Sequence, residues 1–166
     1  ASTASPNLLI NSGAEDSLAQ WTVLEGVVEA LEDGACNGIS PHSGARYFAV
    51  GGLCDHSSVG RCVQEVDVST FSGDIDAEMY TANFGGYLSN FSGADLPEIK
   101  LNFLDQNSNT LGSSNTLSSL NDTWTMVAEW ASIPPQTRKI QVELKGTRNA
   151  GTDNESYFDD LLLRVG

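Results

Sequence analysis

Short runs of apolar or alternating residues, separated by clusters of Gly, Ser, Asn and Asp, make up most of this chain. No stretch of a dozen residues keeps apolar side chains at the i, i+3, i+4, i+7 spacing of an amphipathic helix without one of these breakers. Short runs bounded by such clusters are typical of β-strands. We therefore predict strands at Asn7–Asn11, Trp21–Val23, Val27–Leu31, Arg46–Val50, Cys62–Val68, Ile75–Thr81, Ile99–Leu104, Trp124–Trp130, Ile140–Leu144 and Ser156–Val165.

So many short strands in 166 residues predict an all-β sandwich or barrel. The length suits one domain with a real core, so we expect a single domain over residues 1–166. The stretch Asp105–Thr110 is predicted to be a hairpin turn, because its D-x-N-x-N spacing lacks the Gly and the distal Glu of a calcium-binding loop.

The charge of the chain restricts its partners. Eight basic residues against 22 acidic ones give a net charge of −14, which disfavours nucleic acid and anionic lipid because both bind through Lys and Arg. The apolar runs are too short for a transmembrane helix, so we predict no membrane insertion. Divalent cations and neutral ligands remain as candidate partners.

Two of the three cysteines stand in Gly-rich, turn-like contexts. A disulfide between Cys36 and Cys54 would join two loops, while Cys54–Cys62 pairing and the reduced state remain as alternatives. Cys62 shares strand phase with Val66 and Val68, which predicts a buried thiol. A disulfide favours a secreted or extracellular location.

Adjacent carboxylates at Asp159 and Asp160 interrupt the apolar end of the chain. Successive strand residues face opposite sides, so one of the two is drawn into apolar surroundings and needs a cation, donors or a shifted pKa. Glu15 and Asp16 follow a Gly turn near the start of the chain. First and last strands of a sandwich often lie together, so the two acidic ends predict a structural Ca²⁺ site.

Catalysis has little support in the sequence. The two histidines, His42 and His56, lie in predicted loops, and neither belongs to a nucleophile motif or to zinc-ligand spacing. The many acids leave a glycan-processing enzyme open as an alternative. We predict that the chain is not an enzyme.

Three motifs, N-x-x-x-N-S-G-A-E at Asn7–Glu15, S-G-A-R-Y-F-A-V at Ser43–Val50 and Y-F-D-D-L-L-L at Tyr157–Leu163, resemble the calcium-containing β-sandwich carbohydrate-binding modules of the galactose-binding-like jelly-roll group. This resemblance implies a jelly roll with a buried Ca²⁺. The chain departs from the family at Ala14, where a large aromatic is usual. The implied metal ligands are the carbonyl of Gly13, the carboxylate of Glu15, the carbonyl of Arg46 and the carboxylate of Asp159.

A weaker resemblance links the N-terminal stretch Asn7–Trp21 to the F-box-associated sugar-recognition domains. Those domains share the sandwich and bind N-glycans without catalysis. They are cytosolic, which conflicts with a disulfide. Both resemblances imply non-catalytic sugar recognition.

The segment Met79–Asp95 is the densest aromatic and amide patch of the chain. Aromatic faces and amide groups suit sugar rings and their hydroxyls. The alternative is a strand and loop whose aromatics cap the core. The three tryptophans, Trp21, Trp124 and Trp130, are predicted to be core residues. The candidate ligand-binding residues are Tyr80, Asn83, Phe84, Tyr87, Asn90, Phe91, Asp95 and, in the loop Lys145–Asn154, Arg148.

These patterns together predict a secreted, calcium-stabilised, non-catalytic carbohydrate-binding module or lectin-like domain that binds a polysaccharide or glycan. We expect it to be part of a larger polysaccharide-active protein with other domains. The alternative is a calcium-stabilised adhesion or structural module of a surface protein that has no sugar pocket.

Overall fold

The structure, a computed structural model, describes residues 4–166. Within that range the chain forms eleven strands and one short helix. Two turns of 3-10 helix lie at Ala35–Asn37 and Ser69–Phe71. The strands are β1 (Thr22–Glu25), β2 (Val28–Glu32), β3 (Arg46–Val50), β4 (Val59–Asp67), β5 (Thr81–Ser89), β6 (Leu96–Leu104), β7 (Thr110–Ser113), β8 (Leu117–Ser118), β9 (Thr125–Ser132), β10 (Lys139–Thr147) and β11 (Tyr157–Val165), and the helix α1 is Ser72–Asp76.

Two antiparallel sheets pack face to face. One has the order β1-β4-β10-β6-β7, with β8 also paired to β6, and the other has the order β2-β3-β11-β5-β9. The main core lies between them and includes Phe48, Phe84, Phe103 and Phe158. The predicted all-β sandwich is confirmed.

Strand β10 shows why this sequence folds as a sandwich. Ile140, Val142 and Leu144 are buried, while the residues between them are only partly buried. This period of two places one set of side chains in the core and the other on the outer face. Cys62 on the neighbouring β4 is likewise buried, as predicted, and burial raises the pKa of its thiol to about 12.

Several strand predictions needed correction. The run Ile75–Thr81 is not a strand: α1 ends at Asp76, and Ile75 packs into the core from that helix. The segment Asn7–Asn11 forms no regular strand, although the Leu8 amide donates to the carbonyl of Leu163 on β11 (2.8 Å). Strands β7 and β8 are short polar elements without a sequence signal.

The turn at Asp105–Thr110 is confirmed as the connection of a β6–β7 hairpin. One Asp105 carboxylate oxygen accepts the amides of Asn107 (2.8 Å) and Asn109 (2.9 Å). The Asn109 amide is the main cause of a lowered pKa at Asp105. Among the described residues, no helix is both long and apolar enough to cross a membrane.

Strand β11 changes partners halfway along its length. It pairs with β3 only at Tyr157 and Phe158, and beyond that point the N-terminal segment lies beside it. Its ladder with β5 is irregular between Asp159 and Leu162, and Asp160 has a φ of 46°. The two acidic ends of the chain meet beside this bulge, as predicted, where the Leu161 amide donates to the Ser12 carbonyl (3.0 Å).

Loops cover part of the outer face of the five-stranded sheet. Leu31, Tyr47, Ala49 and Tyr157, on β2, β3 and β11, form a second buried cluster with Leu53 from the following loop. We call this part of the face the covered half. A disulfide between Cys36 and Cys54 joins the two covering loops, so the predicted pairing is confirmed and the Cys54–Cys62 alternative was wrong.

Candidate functional site

Asp159 lies at the bulge of β11 and is fully buried. Its carboxylate accepts the amide of Ser43 (3.1 Å) and the amide of Asp160 (2.8 Å). Burial raises the pKa of Asp159 to about 6, although the Ser43 amide acts in the opposite direction. Two backbone amides do not fully offset the loss of hydration of a buried carboxylate, so a bound cation would stabilise its charged form.

The N-terminal turn contributes oxygens close to Asp159. A Cβ placed on Gly13 would lie 3.3 Å from Oδ1 of Asp159, so the Gly13 backbone lies against that carboxylate. The carboxylate of Glu15 accepts the Ala45 amide at 2.7 and 3.1 Å. We call Gly13, Glu15 and Asp159 the acidic centre. Three of the four predicted metal ligands are thus brought together.

The fourth predicted ligand, Arg46, follows Ala45 directly as the first residue of β3. Its guanidinium contacts the carboxylate of Glu32 on the neighbouring strand (3.4 Å). Within residues 4–166, no three His, Cys, Asp or Glu side chains are grouped as a metal site. A metal at the acidic centre would therefore need backbone carbonyls beside its two carboxylates, and such mixed hard-oxygen sets suit Ca²⁺.

Asp160 has a different set of partners from Asp159. Its carboxylate lies 2.6 Å from Nδ1 of His42 and accepts the hydroxyl of Ser43 at 2.8 and 2.6 Å. The imidazole of His42 stacks on the ring of Tyr87, with centroids 3.5 Å apart and planes at 17°. The adjacent carboxylates therefore divide their roles: Asp159 belongs to the acidic centre and Asp160 anchors a loop.

The remainder of the outer face of the five-stranded sheet is open. Met126 and Trp130 on β9 are 43% and 58% exposed. Trp130 pairs in register with Asn83 on β5, which in turn pairs with Arg164 on β11. We call this surface, formed by the outward residues of β5, β9 and the end of β11, the open half.

The floor of the open half is made of small residues. Gly85 pairs with Ala128, and they lie between the Asn83–Trp130 pair and the Tyr87–Met126 pair. The two flanking pairs are four residues apart along each strand, which is about 13 Å. A Cβ on Gly85 would overlap the Val127 carbonyl, so the close approach of the strands requires glycine there.

The prediction that Trp130 is a core residue was wrong. Its parity with Met126 was read correctly, but β9 is an edge strand and this whole set of side chains faces solvent. Trp21 is buried, as predicted. Trp124 is partly buried and covers the second cluster from its edge, where its indole N–H donates to the Ser40 carbonyl (2.9 Å).

The predicted ligand-binding residues fall into separate places. Asn83 and Tyr87 lie on the open half. Phe84 is fully buried in the core and Asn90 is buried at the end of β5, so neither offers a surface to a ligand. Tyr80 packs against Phe71, with ring centroids 5.9 Å apart.

The other predicted residues gather at one end of the sandwich. Phe91 is 61% exposed and lines a cavity of about 460 Å³ together with Asp95, Asp153 and Glu155. Asp95 itself is buried and accepts the amides of Asn149, Ala150 and Glu155 (2.7, 3.2 and 2.8 Å). We call this cavity the end pocket. Arg148 lies in the loop beside it, where its guanidinium donates to the Thr152 carbonyl (2.7 Å).

Carboxylates make the end pocket electrostatically unfavourable for anions. Burial raises the pKa of Glu155 to about 6, and the nearby charges of Asp95 and Asp153 act in the same direction. The buried Asp95 has a structural role, because it holds the loop that follows β10. The end pocket is therefore a second, more acidic candidate surface with one exposed aromatic ring.

Sequence reasoning missed Met126, Trp130 and Arg164 as members of the open half, and His42 as the residue at its border. The alternation Met126, Ala128, Trp130 was visible, but the period of two does not say which face is the core. The contacts with the other sheet decide this, because the alternate residues Val127 and Ala131 are the ones that pack against the main core. His42 reaches the face from a loop, where no periodicity applies.

No family model matches the chain, and no curated protein matches it. Solved structures match through their fold. The enzymatically active domain of tailspike protein 4 of bacteriophage CBA120 has a TM-score of 0.67 at 12% identity, covering 95% of this chain and 21% of that chain. The chain thus spans about a fifth of that tailspike structure.

Two carbohydrate-binding modules match along nearly their whole length. Family 16 Carbohydrate Binding Module-2 has a TM-score of 0.64 at 17% identity, covering 95% of this chain and 99% of that one. The CBM22-1 xylan-binding domain of Xyn10C from Paenibacillus barcinonensis has a TM-score of 0.61 at 16% identity, covering 99% and 97%. This chain therefore has the β-sandwich jelly-roll fold of carbohydrate-binding modules.

Proposed function

We propose that residues 1–166 form one secreted, non-catalytic carbohydrate-binding domain that works beside other domains of a larger polysaccharide-active protein. The observation that carries this proposal is the open half, where the exposed Trp130 pairs in register with Asn83 on β5, which pairs with Arg164 on β11. Pyranose rings have apolar faces that pack on aromatic rings, and their hydroxyls bond to amide and guanidinium groups.

A neutral polysaccharide is the ligand that fits the charge of the chain. With a net charge of −14, the surface repels polyanions over the distances at which they associate. The similarity in fold to the xylan-binding domain supports a neutral polysaccharide as the ligand class. Fold alone does not establish function, so the argument rests on the open half.

The two carboxylates of the β11 bulge, on the side of the open half where His42 lies, have structural partners. Asp159 accepts backbone amides, and Asp160 is held by His42 and the hydroxyl of Ser43. A general acid must be free to give its proton to a substrate oxygen within hydrogen-bond reach. These engaged carboxylates support binding without hydrolysis.

We further propose that the acidic centre binds a structural Ca²⁺. The carboxylates of Glu15 and Asp159 and the carbonyls of Gly13 and Arg46 would hold it. The ion would supply positive charge to a buried carboxylate and would join the N-terminal turn to β11. A ligand that binds only the native state stabilises it by mass action.

The binding proposal is tested by isothermal titration against soluble neutral polysaccharides, xylan first, with the parent, Trp130→Ala and Leu24→Ala. Leu24 is the matched control because it is 49% exposed but lies on β1 of the other sheet. We expect Trp130→Ala to weaken binding by about tenfold or more, since buried Trp anchors carry such losses. Leu24→Ala should bind like the parent.

Equal binding by Trp130→Ala and the parent would remove the open half as the site, and Phe91→Ala would then test the end pocket. The runner-up function is a calcium-stabilised adhesion module. If the parent binds none of the polysaccharides but is stabilised by Ca²⁺, the results would favour that function. Turnover of any polysaccharide would overturn the non-catalytic assignment.

A further inference from the structure

We propose that His42 is a positioning residue that couples the acidic centre to the open half, so that Ca²⁺ raises the affinity for glycan. This inference rests on the proposed function and deepens it. It assigns different roles to the two carboxylates of the bulge and gives the metal an effect on recognition besides its effect on stability.

The first link is the segment of residues 42–45, which touches the acidic centre twice. The Ser43 amide donates to Asp159 (3.1 Å), and the Ala45 amide donates to Glu15 (2.7 Å). Between them, Gly44 lies so close to the Glu15 carboxylate that any Cβ would overlap it. The path of this segment therefore depends on where the two carboxylates are held.

The second link is the side chain of His42 at the start of the same segment. Its ring stacks on Tyr87 at 3.5 Å and meets Trp124 edge-on at 6.3 Å. Tyr87 pairs in register with the exposed Met126. His42 therefore forms the border of the open half on the side of the acidic centre.

The third link is Asp160, which keeps the segment and the bulge together. Its carboxylate contacts Nδ1 of His42 (2.6 Å) and accepts the hydroxyl of Ser43 (2.6 Å). It follows Asp159 directly, at the residue with positive φ. A change in how Asp159 is held thus reaches His42 through one peptide unit and one side chain.

Ca²⁺ at the acidic centre would fix Glu15 and Asp159, and with them the segment that carries His42. A ligand shifts a conformational equilibrium only through a difference in affinity for its states. Here the state with His42 stacked on Tyr87 is the one that the metal and the glycan both favour. By linkage, the glycan then raises the affinity for Ca²⁺ by the same factor.

The direct test does not need a glycan. His42 and His56 are the only histidines, so their ring protons are readily assigned in a proton–carbon NMR spectrum with His56→Ala. We expect the His42 resonances to shift between EDTA and saturating Ca²⁺, because stacking on Tyr87 changes their ring-current environment. His56, in the loop at residues 51–58, should not shift.

A second experiment measures polysaccharide binding and compares His42→Ala with His56→Ala as its control. In the parent and in His56→Ala, Ca²⁺ should raise the affinity for the polysaccharide by about 2- to 12-fold, the range expected for one aromatic contact. In His42→Ala, this gain should be lost while the stabilisation by Ca²⁺ remains. If EDTA unfolds the chain, the affinities are compared in Ca²⁺, where only His42→Ala should bind more weakly.

The outcomes separate this inference from the proposed function. No binding of any polysaccharide, with His42 resonances that respond to Ca²⁺, would refute the function and the effect on glycan affinity, and would keep only the link from the acidic centre to His42. An unchanged His42 signal, or an undiminished calcium gain in His42→Ala, would overturn the coupling even if glycan binds. No change in melting temperature with Ca²⁺ would remove the metal and the coupling together.

Discussion

The two halves of one sheet face differ in what lies over them. On the covered half, Tyr47 and Tyr157 lie beneath loops that a disulfide joins, and both are buried. On the open half, Met126 and Trp130 have no such cover and remain exposed. Both halves carry large side chains with apolar surface, so the presence of such residues does not distinguish a covered face from an open one.

Connection length explains the difference. The segments that follow β2 and β3 are long enough to fold back over the face, and they contain Cys36 and Cys54. On the open half, the loop after β2 reaches β5 only with His42, which stacks on Tyr87, and Met126 and Trp130 on β9 stay exposed. An apolar strand face is therefore core or binding surface according to the loops beside it, and each prediction below tests that distinction.

The largest effect is expected from truncation on the covered half. Tyr47→Ala removes a fully buried ring and should lower the free energy of unfolding by about 3–5 kcal/mol. Met126→Ala, the matched change on the open half, should stay within about 0.5 kcal/mol of the parent. Urea unfolding measures both. Similar losses from the two variants would refute the division into halves.

Removal of the disulfide comes next. Cys36 and Cys54 are 18 residues apart, and closing a loop of this size contributes about 3 kcal/mol. The double variant Cys36→Ser/Cys54→Ser should lose that stability but keep binding at Trp130. Addition of a reductant should destabilise the parent and leave the double variant unchanged. Loss of binding in the double variant would mean that the open half depends on the loops of the covered half.

The border between the halves is tested at the acidic centre. In Ca²⁺ at 100 times its dissociation constant, the parent should gain about 2.7 kcal/mol. Asp159→Asn should lose that gain, because the amide removes a negative ligand, whereas Asp16→Asn on the exposed turn should keep it. Thermal melting in EDTA and in Ca²⁺ is the measurement. A full calcium response in Asp159→Asn would remove Asp159 from the site.

The sequence predicted much of the fold because burial imposes a period of two. β3 begins and ends as predicted, and β10 was recognised from three alternating apolar residues. β5 was not recognised as one strand, because the pair Gly85 and Gly86 reads as a break. In the structure these glycines allow the close approach of β9 and β11, a tertiary reason that no local pattern contains.

The site was less predictable than the fold. The meeting of Glu15 and Asp159 was anticipated because chain ends of a sandwich lie together, and the family resemblance implied Gly13 beside them. The open half was anticipated only at Asn83 and Tyr87, since Trp130 was assigned to the core. Which face of an amphipathic strand is covered depends on loops, and loop paths are set by contacts distant in sequence, such as the Cys36–Cys54 bond.

The smallest effect is expected at Glu155, two residues before the buried Tyr157. Burial, with the charges of Asp95 and Asp153, raises its pKa from 4.5 to about 6. A carboxyl whose folded pKa is raised favours the native state while protonated, so its contribution is complete below pH 4.5 and is lost as the pH rises through 6. Because Glu155 is partly exposed, screening reduces the effect to under about 1 kcal/mol.

Glu155→Gln should therefore remove a small decline in stability between pH 4.5 and 6 that the parent shows. Glu78→Gln, at an exposed position, is the control for the many other acids that titrate in this window. The difference between the two variants isolates Glu155, and urea unfolding at several pH values measures it. If the two variants have the same dependence of stability on pH, the end pocket is fully hydrated. The loops that bury Tyr157 would then not extend to Glu155. A measured difference would show that the region shielded from water on the covered half reaches the rim of the end pocket. Because Glu155 is charged above pH 6, that pocket would then be a poor site for any anionic sugar.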